Sequence, residues 1–248
     1  MVKTREVHPD TGGDAASVEL VKRESGLTLV GDGMEIRGDF ARMLPRVRPG
    51  KLERELLVRA AKMKGVAQPV AIDATAGLGE DSFLLAAAGF RVRLYESDPV
   101  IAALLRDALE RALGDPSLAD IARRMELFEE DSVRAMEALA NANGPEGEDA
   151  QAMGETPVQA PDVIYLDPMF PERRKSAAVK KKFQLIHHLE RPCANEEDML
   201  LAAIAARPRK VVVKRPAKGP YLAGVKPSYS IAGKAVRYDC ITPASVKL

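Results

Sequence analysis

Tryptophan is absent from this chain of 248 residues, and aromatics as a whole reach only 4%. A core must therefore be built from Ala, Leu, Val and Ile, which the 46% hydrophobic content supplies in quantity. Cysteine is scarce too: Cys193 and Cys240 lie far apart without metal-ligand spacing. Neither a disulfide framework nor a zinc site is expected, and reduced thiols in a cytoplasm are. Of the three histidines, His8 sits in a polar lead, and His187 and His188 are adjacent. Neighbours on a helix point to different faces and cannot readily share one metal, so no metal and no catalytic histidine are expected. No apolar run approaches the ~18 residues that cross a bilayer, and the first residues are polar and mixed in charge, so neither a membrane span nor a secretory leader is expected. Charge of either sign is in no excess: 37 Lys and Arg face 36 Asp and Glu, a net of +1. Any affinity for nucleic acid must come from local patches.

What is present is a rhythm. The stretch 1–24 reads as a flexible lead, and Leu27–Val30 with Met34–Phe40 as a hairpin around a glycine-containing turn. Pro45–Lys51 is a basic loop, and the spacing of Leu56, Leu57, Ala60 and Ala61 predicts a surface helix over 52–64. From residue 69 strands and helices alternate: strand, helix 81–88, strand 91–95, helix 99–113, a short helix 116–124, strand 125–128, helix 132–141. Such alternation implies a mostly parallel sheet with helices on both faces, a Rossmann-like α/β fold. Gly144 to Pro161 interrupts it with Gly, Pro, Glu and Gln and reads as a mobile surface loop. A buried strand then resumes before Asp167, followed by helices 183–190 and 196–206, a strand 210–214, and strand-like pieces at 229–231 and 235–241. Residues 1–64 thus form an extension and 65–248 one α/β domain.

Two segments carry chemistry. Val163-Ile-Tyr-Leu166 runs into Asp167-Pro-Met-Phe-Pro171, where two prolines stop the strand at the carboxyl end of the sheet. There Asp167 can accept one N–H of a planar amine, the Pro168 carbonyl the other, and Phe170 can stack on the ring. The pattern is similar to the (Asp/Asn)-Pro-Pro-(Phe/Tyr) motif of enzymes that methylate exocyclic amines of bases, with Met169 replacing the second proline. Earlier, Val70-Ala-Ile-Asp-Ala-Thr-Ala-Gly-Leu-Gly-Glu-Asp81 reads as strand, glycine turn and helix start, with Gly77 and Gly79 allowing close backbone approach. Ser82 stands where a dinucleotide fingerprint has its third glycine. The next strand ends at Glu96, the placement of acids that bind ribose hydroxyls. Acids at Asp73 and Glu96 suit S-adenosylmethionine, which is cationic and carries no phosphate; with Glu80 and Asp81, Asp73 would repel the pyrophosphate of an NAD- or FAD-dependent oxidoreductase.

The stretches 73–79, 165–171, 175–181 and 211–216, in that order, resemble the ribosomal RNA small subunit methyltransferase J family. The resemblance runs from about Leu52 to Tyr238 and implies S-adenosylmethionine-dependent methylation of the N2 amine of a guanosine near the 3′ end of 16S rRNA, with 16S rRNA or the small ribosomal subunit as partner. By position it puts cofactor contacts on Glu80, Asp81, Glu96, Ser97, Asp131, Ser132 and Asp167. Glu80 stands where a basic residue is expected, and Asp131 replaces a small hydroxyl residue. The run 172–182, with Arg173, Arg174, Lys175, Lys180, Lys181 and Lys182, follows the amine-holding motif and is expected on RNA phosphates. Lys214-Arg215 ends a strand on the same side of the sheet as Asp167, as a contact to RNA or cofactor or as a plain strand-ending pair. An adenine-N6 enzyme and a non-catalytic RNA-binding protein of the same fold are the alternatives.

Overall fold

The structure, a computed structural model, describes residues 18–31, 33–142, 160–168 and 196–245. Phe170, the basic run 172–182, the expected helix 183–190, His8, His187, His188, Cys193 and the 144–161 segment as far as residue 159 lie outside the described residues.

A three-stranded antiparallel sheet comes first: β1 (Glu19–Arg23), β2 (Gly26–Gly31) and β3 (Met34–Ile36). Then follow α1 (Leu44–Val47), α2 (Leu56–Ala61), β4 (Val70–Asp73), α3 (Glu80–Ala87), β5 (Arg91–Tyr95) and α4 (Pro99–Gly114). The chain continues with α5 (Ala119–Ala122), β6 (Met125–Phe128), α6 (Ser132–Ala142), β7 (Val163–Leu166) and α7 (Glu196–Ala205). It closes with β8 (Lys210–Pro216), β9 (Tyr229–Ala232) and β10 (Val236–Ile241).

Seven strands form the main sheet in the order β6-β5-β4-β7-β8-β10-β9. The first five are parallel, while β10 runs antiparallel to both β8 and β9. The strand-like pieces expected at 229–231 and 235–241 therefore form an antiparallel edge. Successive strands step outward from β4 through β5 to β6, then jump back to β7 on the other side of β4. That reversal opens a crevice beyond the carboxyl ends of β4 and β7, the place where ligands bind in open α/β sheets.

Alternation along the strands divides the core in two. Ala71, Val92, Leu94, Val163, Tyr165 and Val212 point into one apolar cluster, with Phe83 to Ala86 of α3 and Leu105, Ala108 and Ala112 of α4. Ile72, Tyr95, Ile164, Leu166, Val211 and Val213 point into the other, under Met136 of α6 and Leu200 and Ala203 of α7. The first cluster also takes in Phe40, Met43, Leu57, Ala60 and Ala61, so the N-terminal elements share the main core. Asp98 starts α4, its carboxylate accepting the amides of Val100 and Ile101 at 2.9 and 3.0 Å, with Pro99 preset for the first turn.

Three expectations need correction. The stretch 1–24 is not flexible lead throughout, because Glu19–Arg23 forms β1 and pairs residue for residue with β2. Its charges are met at a distance: Lys22 bonds Asp107 and Arg23 bonds Glu35. The helix expected over 52–64 is a 3-10 turn, Leu52–Arg54, then α2. Glu55 breaks it with extended backbone, its carboxylate gripped by Arg46 at 2.9 and 2.8 Å. The short helix at 116–124 contracts to α5.

Asp107 fastens the small sheet to the large domain. From α4, only 6% exposed, it accepts Lys22, the Leu27 amide at 2.9 Å and Arg111 Nε at 2.7 Å. Burial alone would raise its carboxyl, but the Lys22 and Arg111 hydrogen bonds and the Leu27 amide outweigh burial and hold it below the usual range. A depressed carboxylate stabilises the fold above its ordinary pKa, and that contribution fades as pH falls through the folded value. Asp107→Asn should cost roughly 1.5–3 kcal/mol at neutral pH. Amide exchange is expected to show the loss concentrated in β1 and β2, and uniform protection across those strands would contradict it.

Candidate active site

At the carboxyl end of the sheet, four strands deliver polar groups to one place. The turn after β4 is knitted to its neighbours: the Ala74 amide donates to the Tyr165 carbonyl at 3.0 Å and the Ala76 amide to the Tyr95 carbonyl at 3.1 Å. Gly77 and Gly79 have φ of +53° and +76°, a region L side chains rarely adopt. A Cβ on Gly77 would meet open space, so this turn leaves room for a ligand against its backbone. On Gly79 it would lie 2.7 Å from Leu105 Cδ1, so this second glycine serves packing.

Glu96, at the end of β5, holds that turn. One oxygen accepts the Gly77 amide at 3.0 Å and the other the Asp98 amide at 2.8 Å. A carboxylate has about four acceptor sites, so two remain for hydroxyl groups. Burial raises its carboxyl, and the amides pull it back down in part. Asp73 is 1% exposed and turned inward, accepting the Thr75 amide at 3.1 Å and the Ser82 hydroxyl at 2.5 Å. Desolvation pushes its carboxyl up to about 7.

The strongest cluster is one that sequence reading did not assemble. Lys214 of β8 donates to Asp81 Oδ2 and to Asp167 Oδ2, both at 2.8 Å. The Tyr165 hydroxyl donates to the same Asp81 oxygen at 2.6 Å, and the Asp167 amide donates to Thr75 Oγ1 at 2.8 Å. Burial works against the Lys214 charge, but the two carboxylates outweigh it and hold the ammonium well above its ordinary pKa. Asp167 is raised by burial, then lowered in part by Lys214. A third of its side chain, 36%, stays open. Tyr165 is raised by burial and by the acids beside it, so it remains a neutral donor.

Of the remaining candidate residues, Glu80 is exposed at the start of α3, and Ser97 is exposed between Glu96 and Asp98. Asp131 lies beyond β6, accepting the Val133 amide at 2.8 Å, and Ser132 is buried at the start of α6. All of them sit past the carboxyl ends of β4, β5 or β6. Pro168 is buried directly after Asp167. Arg46, in the basic loop 45–51, is engaged with Glu55. Lys214 was legible as a strand-ending cation, and its two partners only emerge once β7 and β8 pair and α3 packs on the sheet. At the opposite end of the strands a cavity of about 400 Å³ is lined by Arg91, Arg93, Arg123 and Arg124, remote from the acids.

An acceptor-rich crevice with an open glycine turn and spare carboxylate lone pairs fits a cofactor that brings ribose hydroxyls and positive charge. A family model described as "Putative SAM-dependent methyltransferase" matches residues 11–243. The crystal structure of a SAM-dependent methyltransferase from Neisseria gonorrhoeae is similar at a TM-score of 0.71 and 31% identity, covering 96% of this chain and 88% of that one. Fold, crevice and family match define an S-adenosylmethionine-dependent methyltransferase. Proteins called ribosomal RNA small subunit methyltransferase J are 40% identical in Neisseria meningitidis, over 88% of this chain and 80% of the relative, and in Pseudomonas aeruginosa, over 93% and 84%. The chain belongs to the ribosomal RNA small subunit methyltransferase J family.

The inward carboxyl of Asp73 gives stability an unusual pH slope. An unfolded Asp ionises near 3.8, but the folded one only near 7. Between these values the unfolded state binds fewer protons, so stability falls as pH rises, by up to ~1.4 kcal/mol per unit, and levels off above 7. Asp73→Asn should flatten that window. Urea unfolding of both proteins at several pH values from 4.5 to 7.5 checks it, and parallel curves would show that Asp73 is not the source.

Proposed function

We propose that this protein methylates the exocyclic N2 amine of a guanosine near the 3′ end of 16S rRNA in the small ribosomal subunit, using S-adenosylmethionine. The small-subunit rRNA assignment rests on the relatives' names, and the choice of a guanine amine on the family resemblance. The observation that carries an amine reading is the half-open Asp167 carboxylate, held by Lys214 directly before the buried Pro168 at the switch point of the sheet. We further assign ribose binding to Glu96 and the glycine turn, with Asp73, Glu80, Asp81, Ser97, Asp131 and Ser132 around the rest of the cofactor. Phe170 is assigned to stacking on the base, and Arg173, Arg174, Lys175, Lys180, Lys181 and Lys182 to RNA phosphates.

When bound, S-adenosylmethionine supplies a methyl group made electrophilic by its sulfonium. The chain's own contribution is positioning and electrostatics. A guanine amine is a weak nucleophile because its lone pair is delocalised into the ring. An amine N–H donated to Asp167 and another to the Pro168 carbonyl favour a pyramidal nitrogen and aim its lone pair. As positive charge grows on that nitrogen, both bonds strengthen, so they stabilise the transition state more than the ground state. Lys214 keeps Asp167 an acceptor by countering its burial, and Tyr165 and Lys214 together hold Asp81. A paired base cannot reach such a crevice, so the target guanosine is unpaired or flipped out.

Asp167→Ala should abolish methyl transfer to small-subunit rRNA while binding of S-adenosylhomocysteine and folding persist. Turnover above about a tenth of wild type, less than ~1.4 kcal/mol in barrier, would remove Asp167 from the amine. Mass-spectrometric mapping of 16S rRNA from cells lacking the protein tests base and position together, and a missing N6-methyladenosine in place of a missing N2-methylguanosine would redirect the assignment.

Removal of the Lys214 cation leaves Asp167 facing burial and the Asp81 charge, with the smaller pull of Arg215 opposing them. In Lys214→Met the carboxyl of Asp167 rises further, so the acidic limb of the turnover–pH profile should move to higher pH, and Lys214→Arg should restore part of the shift. An unmoved profile with merely lower turnover would make Lys214 a packing residue only.

A further inference from the structure

Beyond the carboxyl end of β8 the chain does not return directly to the sheet. It forms a loop from Ala217 to Ser228, with a 3-10 turn at Leu222–Gly224, before β9 begins. Tyr221 stands on this loop and is 41% exposed, among the few large hydrophobic side chains so placed in the described residues.

The ring is not loose. The Arg237 guanidinium lies under it, its carbon 5.1 Å from the ring centroid. Arg237 is itself only 7% exposed and tied down on every nitrogen. Its Nε donates to Asp239 at 2.9 and 3.1 Å, and Nη1 to the carbonyls of Pro216 and Gly219, each at 2.9 Å, and of Ala217 at 3.2 Å. Nη2 reaches the Pro220 carbonyl at 3.3 Å, and Arg215 Nε reaches the same carbonyl at 3.0 Å. The next residue, Leu222, is 2% exposed and packs into the core beneath α7. Ala223 pays for the bend with a left-handed backbone, φ 47° and ψ 26°. Backbone of this kind costs a non-glycine residue about 1–3 kcal/mol and persists where the surroundings overdetermine it. These bonds fix the loop's backbone and the cation beneath the ring, and leave 41% of Tyr221 open to solvent.

Its place in the fold supplies a use. Arg237 faces Arg215 across β10 and β8, and Val213 of β8 faces Leu166 of β7, the residue before Asp167. Two strand spacings, about 10 Å, separate the Asp167 strand from the one that carries the platform. Lys218 and Lys226 are exposed on the same loop. An aromatic face fixed from below, open above, flanked by cations and two strands from the acceptor is the equipment that single-stranded RNA binding uses: a stacked base with its phosphates neutralised nearby.

We propose that Tyr221 is a stacking platform for an unpaired RNA base flanking the methylated nucleotide, with Lys218 and Lys226 on the adjoining phosphates. The inference rests on the rRNA reading of the active site and adds to it a second base-binding position.

The test uses the full-length protein, a small-subunit rRNA fragment that wild type methylates, and three variants, Tyr221→Phe, Tyr221→Leu and Tyr221→Ala. Leu fills a similar volume over Arg237 without an aromatic face, so it separates stacking from packing. Fragment affinity should fall by ~5- to 150-fold in the Leu and Ala variants, the range that base–aromatic stacking spans. The Phe variant should hold wild-type affinity. The KM for RNA should rise in parallel, while S-adenosylhomocysteine affinity and the thermal midpoint stay unchanged. Wild-type RNA affinity in Tyr221→Leu, with the fragment still methylated, overturns the platform and leaves the rRNA reading intact. Equal loss in the Phe variant overturns it as well, since the hydroxyl and not the ring would then be responsible. A wild-type protein that transfers no methyl to small-subunit rRNA sinks both readings.

Discussion

The Lys214 ammonium, shared by Asp81 and Asp167, is the contact on which the rest of the crevice depends. Without it three buried or half-buried acids, Asp73, Asp81 and Asp167, would face one another across the ends of β4 and β7, where Asp81 and Asp167 raise the cost of ionising Asp73, and Asp81 that of ionising Asp167. A cation in low dielectric offsets this only when its hydrogen bonds are well made, and here each is 2.8 Å long. The same contact joins the first turn of α3, the exit of β7 and the middle of β8. It thus fixes the relative position of three elements that come from distant parts of the chain. The site's charge and the sheet's register are one constraint.

Much of this was legible in the sequence because each signal was local. Val70–Asp73 and Val163–Leu166 are short runs buried on both faces and bounded by flanking turns, while in Arg91–Tyr95 the arginines alternate with buried Val92 and Leu94. The glycine turn announced itself because Gly77 and Gly79 are the residues that positive φ requires. β1 was illegible for the opposite reason: Glu19-Leu-Val-Lys-Arg23 carries charges that look solvated until Asp107 and Glu35 are brought beside them. The break in the helix at Glu55 likewise depends on Arg46 reaching it. Lys214 was legible only as a strand-ending cation, and Tyr165 not as a site residue at all, because their partners Asp81 and Asp167 come from α3 and the exit of β7, and no spacing along one strand encodes that.

Glu96 shows how one side chain can serve both fold and ligand. Its two oxygens fix the amides of Gly77 and Asp98, so the glycine turn and the start of α4 are set before any ligand arrives. A turn already held in shape has little left to lose in conformational freedom on binding, which is the advantage of preorganisation. The inward Asp73, by contrast, spends its hydrogen bonds on Thr75 and Ser82 and shapes the turn from below.

The seating of α2 also bears on how the protein is made. This helix lies against β8, β9 and β10. The Ala60 carbonyl accepts Lys210 Nζ at 2.8 Å from 150 residues further on, and the Cys240 thiol reaches it from 180 residues away. During synthesis α2 emerges early, yet the strands it rests on come last. At about 5–20 residues per second, the wait for Lys210 alone is about 8–30 s. Through that interval Leu57, Ala60 and Ala61 lack the part of their final surface that β8, β9 and β10 supply. Closing the sheet at β8 and β10 is therefore a late, long-range event, of the kind that slows folding in proportion to sequence separation. The nascent chain completes its core only when β8 and β10 have left the ribosome.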